Sequence, residues 1–363
     1  MGTRKKIIPI FVPHKGCPHD CVFCNQKKIA GQIKDITATE IEETIDKFLE
    51  TIPIDTKEIE VAFFGGSFTG IDVKQQEEFL NIVYNYKKRG LIDKIRLSTR
   101  PDYINDFILA LLKKYNVDII ELGVQSLDEE VLIKSNRGHT VNDVIDAVNL
   151  IKRWDFELGL QFMIGLPGDA KEKAINTALN IINLKPDFVR LYPTLVIKDT
   201  YLEYMYFAKK YKPLSLEEAI DICTDILILF KYHGIPVIRI GLQPTENISL
   251  GGDVLAGPYH PSIRQLVESN IYKIILEEFI NENKIENVSI LIEINSKLVS
   301  NIVGQKSSNV KYFKDKYNII IKLKKSELPL EVLKVHTDEI CYELVIREYI
   351  EKYLKRKGFI LFK

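Results

Sequence analysis

The chain of 363 residues has no net charge, because 50 Lys+Arg oppose 50 Asp+Glu. Evenly spread, that balance would leave no field to attract a polyanion. No run of about 18 apolar residues occurs, so no membrane-spanning helix is expected. The start is basic and then briefly apolar, and it meets Pro13 and His14 without a small-residue cleavage site. That argues against a signal peptide. Low-complexity tracts and long-period repeats are missing, which excludes fibrous and solenoid classes. Five cysteines are too few and too unevenly placed for a disulfide framework. What remains is ordinary globular composition, 46% apolar and 28% charged. The length suggests two domains, or one large α/β unit with an appendage, and a core that needs no covalent staples.

Short apolar, branched runs alternate with helix-length segments through the first 240 or so positions. Strands are read at Ile7–Val12, Ile59–Phe64, Lys94–Thr99, Ile119–Val124, Leu158–Ile164 and Phe188–Pro193. Helices are read after Thr37 and over 72–89, 102–115, 141–153, 170–183 and 215–233. Six strand–helix units predict a parallel sheet with right-handed crossovers, a partial (β/α)6 TIM-type barrel. Functional groups in such barrels gather at the C-terminal strand ends. The unusual residues of this chain do follow its strands. A further strand at Val237–Leu242 leads into a Gly/Pro-rich stretch, then a helix over 261–281. From about 287 a small α+β pattern follows: strand, helix, Gly304-Gln305-Lys306-Ser307, helix, strand, and a last helix near 337–356. The expected domains are 1–245, a closing loop and helix over 246–283, and 284–363.

Three cysteines lie within eight residues, in CPHDCVFC, Cys17 to Cys24. Thiolates at this spacing suit an iron–sulfur cluster with one open iron. A structural zinc site completed by His14 or His19 is the alternative reading. Either site belongs in a reducing compartment, read here as the cytoplasm. The lone Cys223 and Cys341 are expected to be buried and structural.

The motif and its position after the first strand resemble the radical S-adenosylmethionine (SAM) superfamily. The resemblance implies that Cys17, Cys21 and Cys24 hold a [4Fe-4S] cluster, with Phe23 beside the third ligand. It implies that the open iron binds SAM and that reductive cleavage yields a 5′-deoxyadenosyl radical. An electron donor such as a flavodoxin or ferredoxin is implied as well. Gly65, Gly66 and Ser67 resemble the motif that accepts the SAM ammonium on backbone carbonyls. Gln125 matches the ribose position and Arg137, twelve residues on, the carboxylate position. A plain salt bridge is the other reading of Arg137. Met163 and Gly165 fall in the stretch that flanks the adenine. Ser98 stands where many relatives carry a Glu, and Arg100-Pro101-Asp102 also reads as a capped helix start. His139 reads as a structural histidine.

From Glu121 to Ala219 the chain resembles the catalytic subunit of Elongator and its bacterial relatives, which act on the wobble uridine of tRNA. After Val237–Leu242 the resemblance stops. The remaining sequence is too short for a GNAT acetyltransferase domain and shows no acetyl-CoA loop, so acetyl transfer is not expected. Arg100, Tyr192, Tyr259, His260 and Arg264 are candidates for substrate binding, with Asp253 nearby; a loop plug is the competing reading of 253–264. The tail resembles a KH-type RNA module with its second glycine replaced by Ser307. Gly304, Lys306, Lys311 and Lys314 are its RNA candidates. A solvated lysine face is the alternative.

Charge is in fact uneven. Ser296–Lys325 holds eight lysines against one aspartate, and 1–34 holds seven Lys/Arg against Asp20. The basic windows of +7 and +6 leave room for RNA, with tRNA the expected partner. Two other functions stay open: small-molecule chemistry like that of oxygen-independent coproporphyrinogen oxidase, and a non-catalytic RNA-binding iron–sulfur sensor.

Overall fold

The computed structural model describes residues 5–12, 21–25, 36–243, 248–249, 251–338 and 340–359. Cys17, His14 and His19 lie outside them. Two compact units emerge, Met1–Ser215 with Leu242–Tyr259, and Leu216–Gly241 with His260–Lys363. Among the described residues no helix is long and apolar enough to cross a membrane.

The first unit carries six parallel strands in chain order: β1 (Lys5–Val12), β2 (Glu58–Gly65), β3 (Lys94–Thr99), β4 (Ile119–Gln125), β5 (Glu157–Ile164) and β6 (Phe188–Pro193). Each lies within a residue or two of its expected place, and helices alternate with them. This is the partial (β/α)6 barrel expected from the alternation. The helix Ala38–Thr51 starts where Thr37 accepts from the Glu40 amide while the Glu40 carboxylate takes the Thr37 amide. Thr140 and Asp143 build the same reciprocal cap on Val141–Arg153. Such caps stabilise a helix by about 1 kcal/mol each and fix where the chain leaves the sheet.

The second unit opens with the helix Leu216–Tyr232, buried continuously from Ile222 to Phe230. Its buried Asp225 accepts from the Tyr353 hydroxyl at 2.5 Å. Cys223 is fully buried on it, as expected, and burial pushes its thiol pKa up. A four-stranded sheet follows in the order Ile320–Ser326, Ser289–Asn295, Val332–His336, Cys341–Val345. Two expectations fail here. The last helix begins only at Ile346, because Cys341–Val345 pairs antiparallel with Val332–His336 and buries Leu344 against the sheet. On that edge strand Cys341 is exposed, not buried.

Candidate active site

The C-terminal ends of the six strands are shaped by backbone that departs from regular β geometry. Gly65 ends β2 at φ +99°, and a Cβ there would sit 2.9 Å from the Val12 carbonyl oxygen. Only glycine lets β1 and the β2 exit run this close. The Gly66 amide donates to the same Val12 oxygen at 3.2 Å, and Ser67 is buried just beyond. At the end of β4 the register shifts between Gly123 and Gln125, and Gln125 takes φ +67°. A left-handed conformation at a non-glycine residue costs about 1–3 kcal/mol and clusters where structure serves function. The Gln125 side chain is buried, and among the described residues its Oε1 has no hydrogen-bond partner.

Arg137 is the hub. Its Nη2 donates to the Gly123 oxygen at 2.7 Å, its Nε to His139 Nε2 at 3.1 Å, and its Nη1 to Cys21 Sγ at 3.4 Å. The guanidinium thus places positive charge beside a sulfur that a metal cluster would require as thiolate. His139 Nδ1 faces the Thr140 carbonyl at 3.2 Å, so the proton sits on Nδ1 and Nε2 stays an acceptor for Arg137. Burial, then the Arg137 charge, hold the His139 pKa down at about 4. The histidine read as structural is therefore a positioning residue for the arginine. Gly123 is common ground for both side chains: a Cβ there would meet Arg137 Nη2 at 2.9 Å and Gln125 Nε2 at 3.0 Å.

The cysteine loop is tied down from two sides. The Val22 amide donates to the Ser135 oxygen, and the Val22 oxygen accepts from the Leu202 amide at 2.7 Å. Phe23 is half-buried against Val22, Val196 and Leu202. Cys21 is buried, Cys24 half-buried, and the Cys24 amide donates to the Cys21 oxygen.

A second layer went unnoticed in the sequence. Arg96 on β3 pairs with Glu60 on β2 at 2.8 Å and Glu121 on β4 at 2.6 Å, and Glu121 also holds Arg190 on β6 at 2.8 Å. Lys5 pairs with Glu60 as well. Glu60, Arg96 and Glu121 are buried. Arg96 lies over the Phe188 ring and Arg190 over the Phe64 ring. The available signal is a charged residue at the third position of each of four strands: Glu60, Arg96, Glu121 and Arg190.

The remaining candidates fall at several places. Ser98 is half-buried on β3 in register with Glu121. Met163 is half-buried on β5 in register with Tyr192, whose hydroxyl accepts from Arg190 at 3.5 Å. Gly165 takes φ +75°; its amide donates to Asp169 and its oxygen accepts from the Tyr211 hydroxyl at 2.6 Å. Arg100 is held bidentate by Asp102 at 2.9 and 3.0 Å, ahead of a short 3-10 turn at Pro101–Tyr103. Tyr259 packs beside Leu195, Ile197, Ile248 and Val254 in the first unit.

His260 and Arg264 belong to the second unit. His260 Nδ1 accepts from the Ser262 amide, and its Nε2 lies 3.4 Å from Gln305 Nε2. Arg264 pairs with Glu268 and donates to the Val237 oxygen, so its charge is already engaged. Gly304 takes φ +74°, and a Cβ there would meet Ser308 Oγ at 2.4 Å. Lys306 and Ser307 also have positive φ, Lys306 is exposed on this loop, and Lys311 and Lys314 are exposed on the helix Ser308–Tyr317 that follows.

Comparison with known proteins now bears on the arrangement. The radical SAM superfamily pattern matches residues 11–180 and the Radical_SAM C-terminal domain matches 186–273. An uncharacterised protein of Methanocaldococcus jannaschii is 30% identical over 222 residues, 58% of this chain and 68% of that protein. The tRNA uridine(34) acetyltransferase of the same organism is 28% identical over 257 residues, 60% of this chain and 48% of that enzyme. The chain thus spans about half the length of that relative. The solved structure of Methanocaldococcus infernus Elp3 shares the fold, with TM-score 0.57 and 18% identity over 92% of this chain and 74% of that one. The residues present fit the implied cofactor. Among the described residues the buried Gln125 Oε1 has no donor, and a ribose hydroxyl would supply one. The chain belongs to the radical SAM superfamily, whose cofactors are a [4Fe-4S] cluster and S-adenosylmethionine.

Proposed function

We propose that this radical SAM enzyme modifies a nucleoside of tRNA. One observation carries the reading of the site: Arg137 bonds Cys21 and Gly123 together, with the unpartnered Gln125 oxygen beside them. In this reading Cys17, Cys21 and Cys24 hold the cluster. Gly65, Gly66 and Ser67 receive the ammonium of SAM, Gln125 its ribose, Arg137 its carboxylate, and Met163 and Gly165 its adenine. When bound, the cluster supplies an electron, drawn from a donor such as a flavodoxin or ferredoxin, for reductive cleavage of SAM. The chain's own work is to orient that reaction. His139, held neutral, aims the Arg137 guanidinium. The Glu60–Arg96–Glu121–Arg190 layer closes the barrel interior with matched charge. Support for tRNA comes from the 28% identity to a tRNA uridine(34) acetyltransferase and from the exposed lysines beside Gly304.

The test is anaerobic reconstitution with iron and sulfide, followed by dithionite and SAM. Wild type should release 5′-deoxyadenosine, and Cys21→Ala should release none. Mass spectrometry of tRNA nucleosides from a deletion strain should then show one nucleoside changed. An unchanged nucleoside profile would overturn the tRNA part of the reading and leave the SAM chemistry standing.

A further inference from the structure

The short helix Tyr201–Phe207 carries three large aromatic rings into solvent: Tyr201 is 59% exposed, Tyr204 53% and Phe207 66%. Single exposed aromatics are ordinary, but three at every third position of one seven-residue helix are a concentration of exposed apolar surface. The rings of Tyr201 and Tyr204 lie 5.4 Å apart. Lys209, Lys210 and Lys212 follow directly and are exposed. Lys210 lies over the Tyr204 ring at 5.6 Å. Among the described residues none of the three lysines makes an ion pair. The acidic side chain on this helix, Glu203, is used locally, accepting from the Asp199 amide.

The patch is joined to the site on both flanks. Its Leu202 amide bonds the Val22 oxygen inside the cysteine loop, and Asn25 Nδ2 reaches the Lys198 and Asp199 oxygens. On the other flank Tyr211 bonds the Gly165 oxygen. A cavity of about 460 Å³ lies there between Gly165–Asp169 and Met205–Leu214, with Lys134, Lys210 and Lys212 in its lining. That volume lies within the roughly 300–1,000 Å³ range of ligand pockets.

We infer that Tyr201, Tyr204 and Phe207 with Lys209, Lys210 and Lys212 form a stacking platform for single-stranded RNA, seated on the cysteine loop. Every base offers a π-face to an aromatic ring, and phosphates follow the interleaved lysines. A protein partner fits less well. The centres of protein interfaces are depleted of lysine, whereas here a lysine lies over a ring in the middle of the patch. The inference rests on the tRNA reading and adds to it a surface that would hold the strand beside the site.

The test uses cluster-loaded protein and unmodified tRNA transcript. The double variants Tyr201→Ala/Tyr204→Ala and Lys209→Glu/Lys210→Glu should each raise the Kd roughly tenfold or more. The lysine pair should also flatten the salt dependence of binding, the tyrosine pair leaving its slope unchanged. Tyr204→Phe, which keeps the ring, should bind like wild type. Cleavage of SAM with dithionite in the absence of RNA should persist in all variants, showing that they fold. If wild type binds tRNA and the double variants bind equally well, the platform is wrong and the tRNA reading stands. If wild type binds no tRNA, the tRNA reading itself falls. If the variants keep RNA affinity yet lose SAM cleavage only when reduced flavodoxin replaces dithionite, the patch docks an electron-donor protein and the inference is overturned.

Discussion

The strand-end site of the first unit and the Gly304–Ser307 loop of the second both gather charge, in opposite styles. Around β2, β3 and β4 the charges are buried and matched, with Arg96 between Glu60 and Glu121, and the half-buried Arg190 of β6 pairs with Glu121. In the second unit Lys306, Lys311 and Lys314 are exposed and make no ion pair among the described residues. Only Lys316 and Lys324 nearby are engaged, by Glu277 and Glu293. Buried, paired charge fixes geometry and is costly to disturb. Exposed, unpaired charge gives attraction without shape, and salt screens it. The first arrangement suits a reaction that needs placement, and the second suits a polyanion met in many poses.

That contrast can be broken by substitution. Glu121→Ala should cost about 3–5 kcal/mol of stability, because it takes one of its two carboxylates from the buried Arg96 and leaves the half-buried Arg190 without its own. The urea midpoint at pH 7 measures this, and a loss below about 1 kcal/mol would show that the layer relaxes. His139 should give the next largest effect. Its pKa is about 4 in the folded chain against the ordinary 6.5, so the unfolded chain takes the proton first as pH falls. Stability is therefore fully present above about pH 6.5 and is lost towards pH 4, by up to about 3 kcal/mol. Arg137 and Arg100 oppose the protonated ring, and Asp102 favours it. His139→Gln should remove this part of the pH slope, as urea midpoints at pH 7 and pH 5 would reveal. The smallest effect on stability belongs to the loop. Lys306→Glu with Lys311→Glu should change stability by no more than about 0.5 kcal/mol. The same pair should weaken tRNA binding severalfold at low salt and reduce the salt slope. Unchanged affinity would remove the loop from the RNA-binding surface.

Much of this was legible in the sequence because it is written locally. The strand–helix alternation, the Thr37 cap and the cysteine spacing each lie within a dozen residues. Gln125 and Arg137 could be singled out as a pair because the motif that joins them is continuous. The charged layer was not legible, since its partners stand 25 to 69 positions apart and meet only when the strands align. That His139 is structural is legible in the sequence, but its partner is not, because the bond to Arg137 depends on which ring nitrogen faces the guanidinium. The final helix was drawn too long because residues 341–345 have no strong local preference. Pairing with Val332–His336 decides their state, and the same pairing leaves Cys341 on an exposed edge.

Gly123 shows that vacancy can be a working part. The space where its side chain would stand is shared by the tip of Arg137 and the amide of Gln125. Both tips belong to buried side chains, so an added methyl would push Arg137 off the Gly123 oxygen it bonds. Clearance at one position is thus as much a part of the arrangement as the groups that surround it.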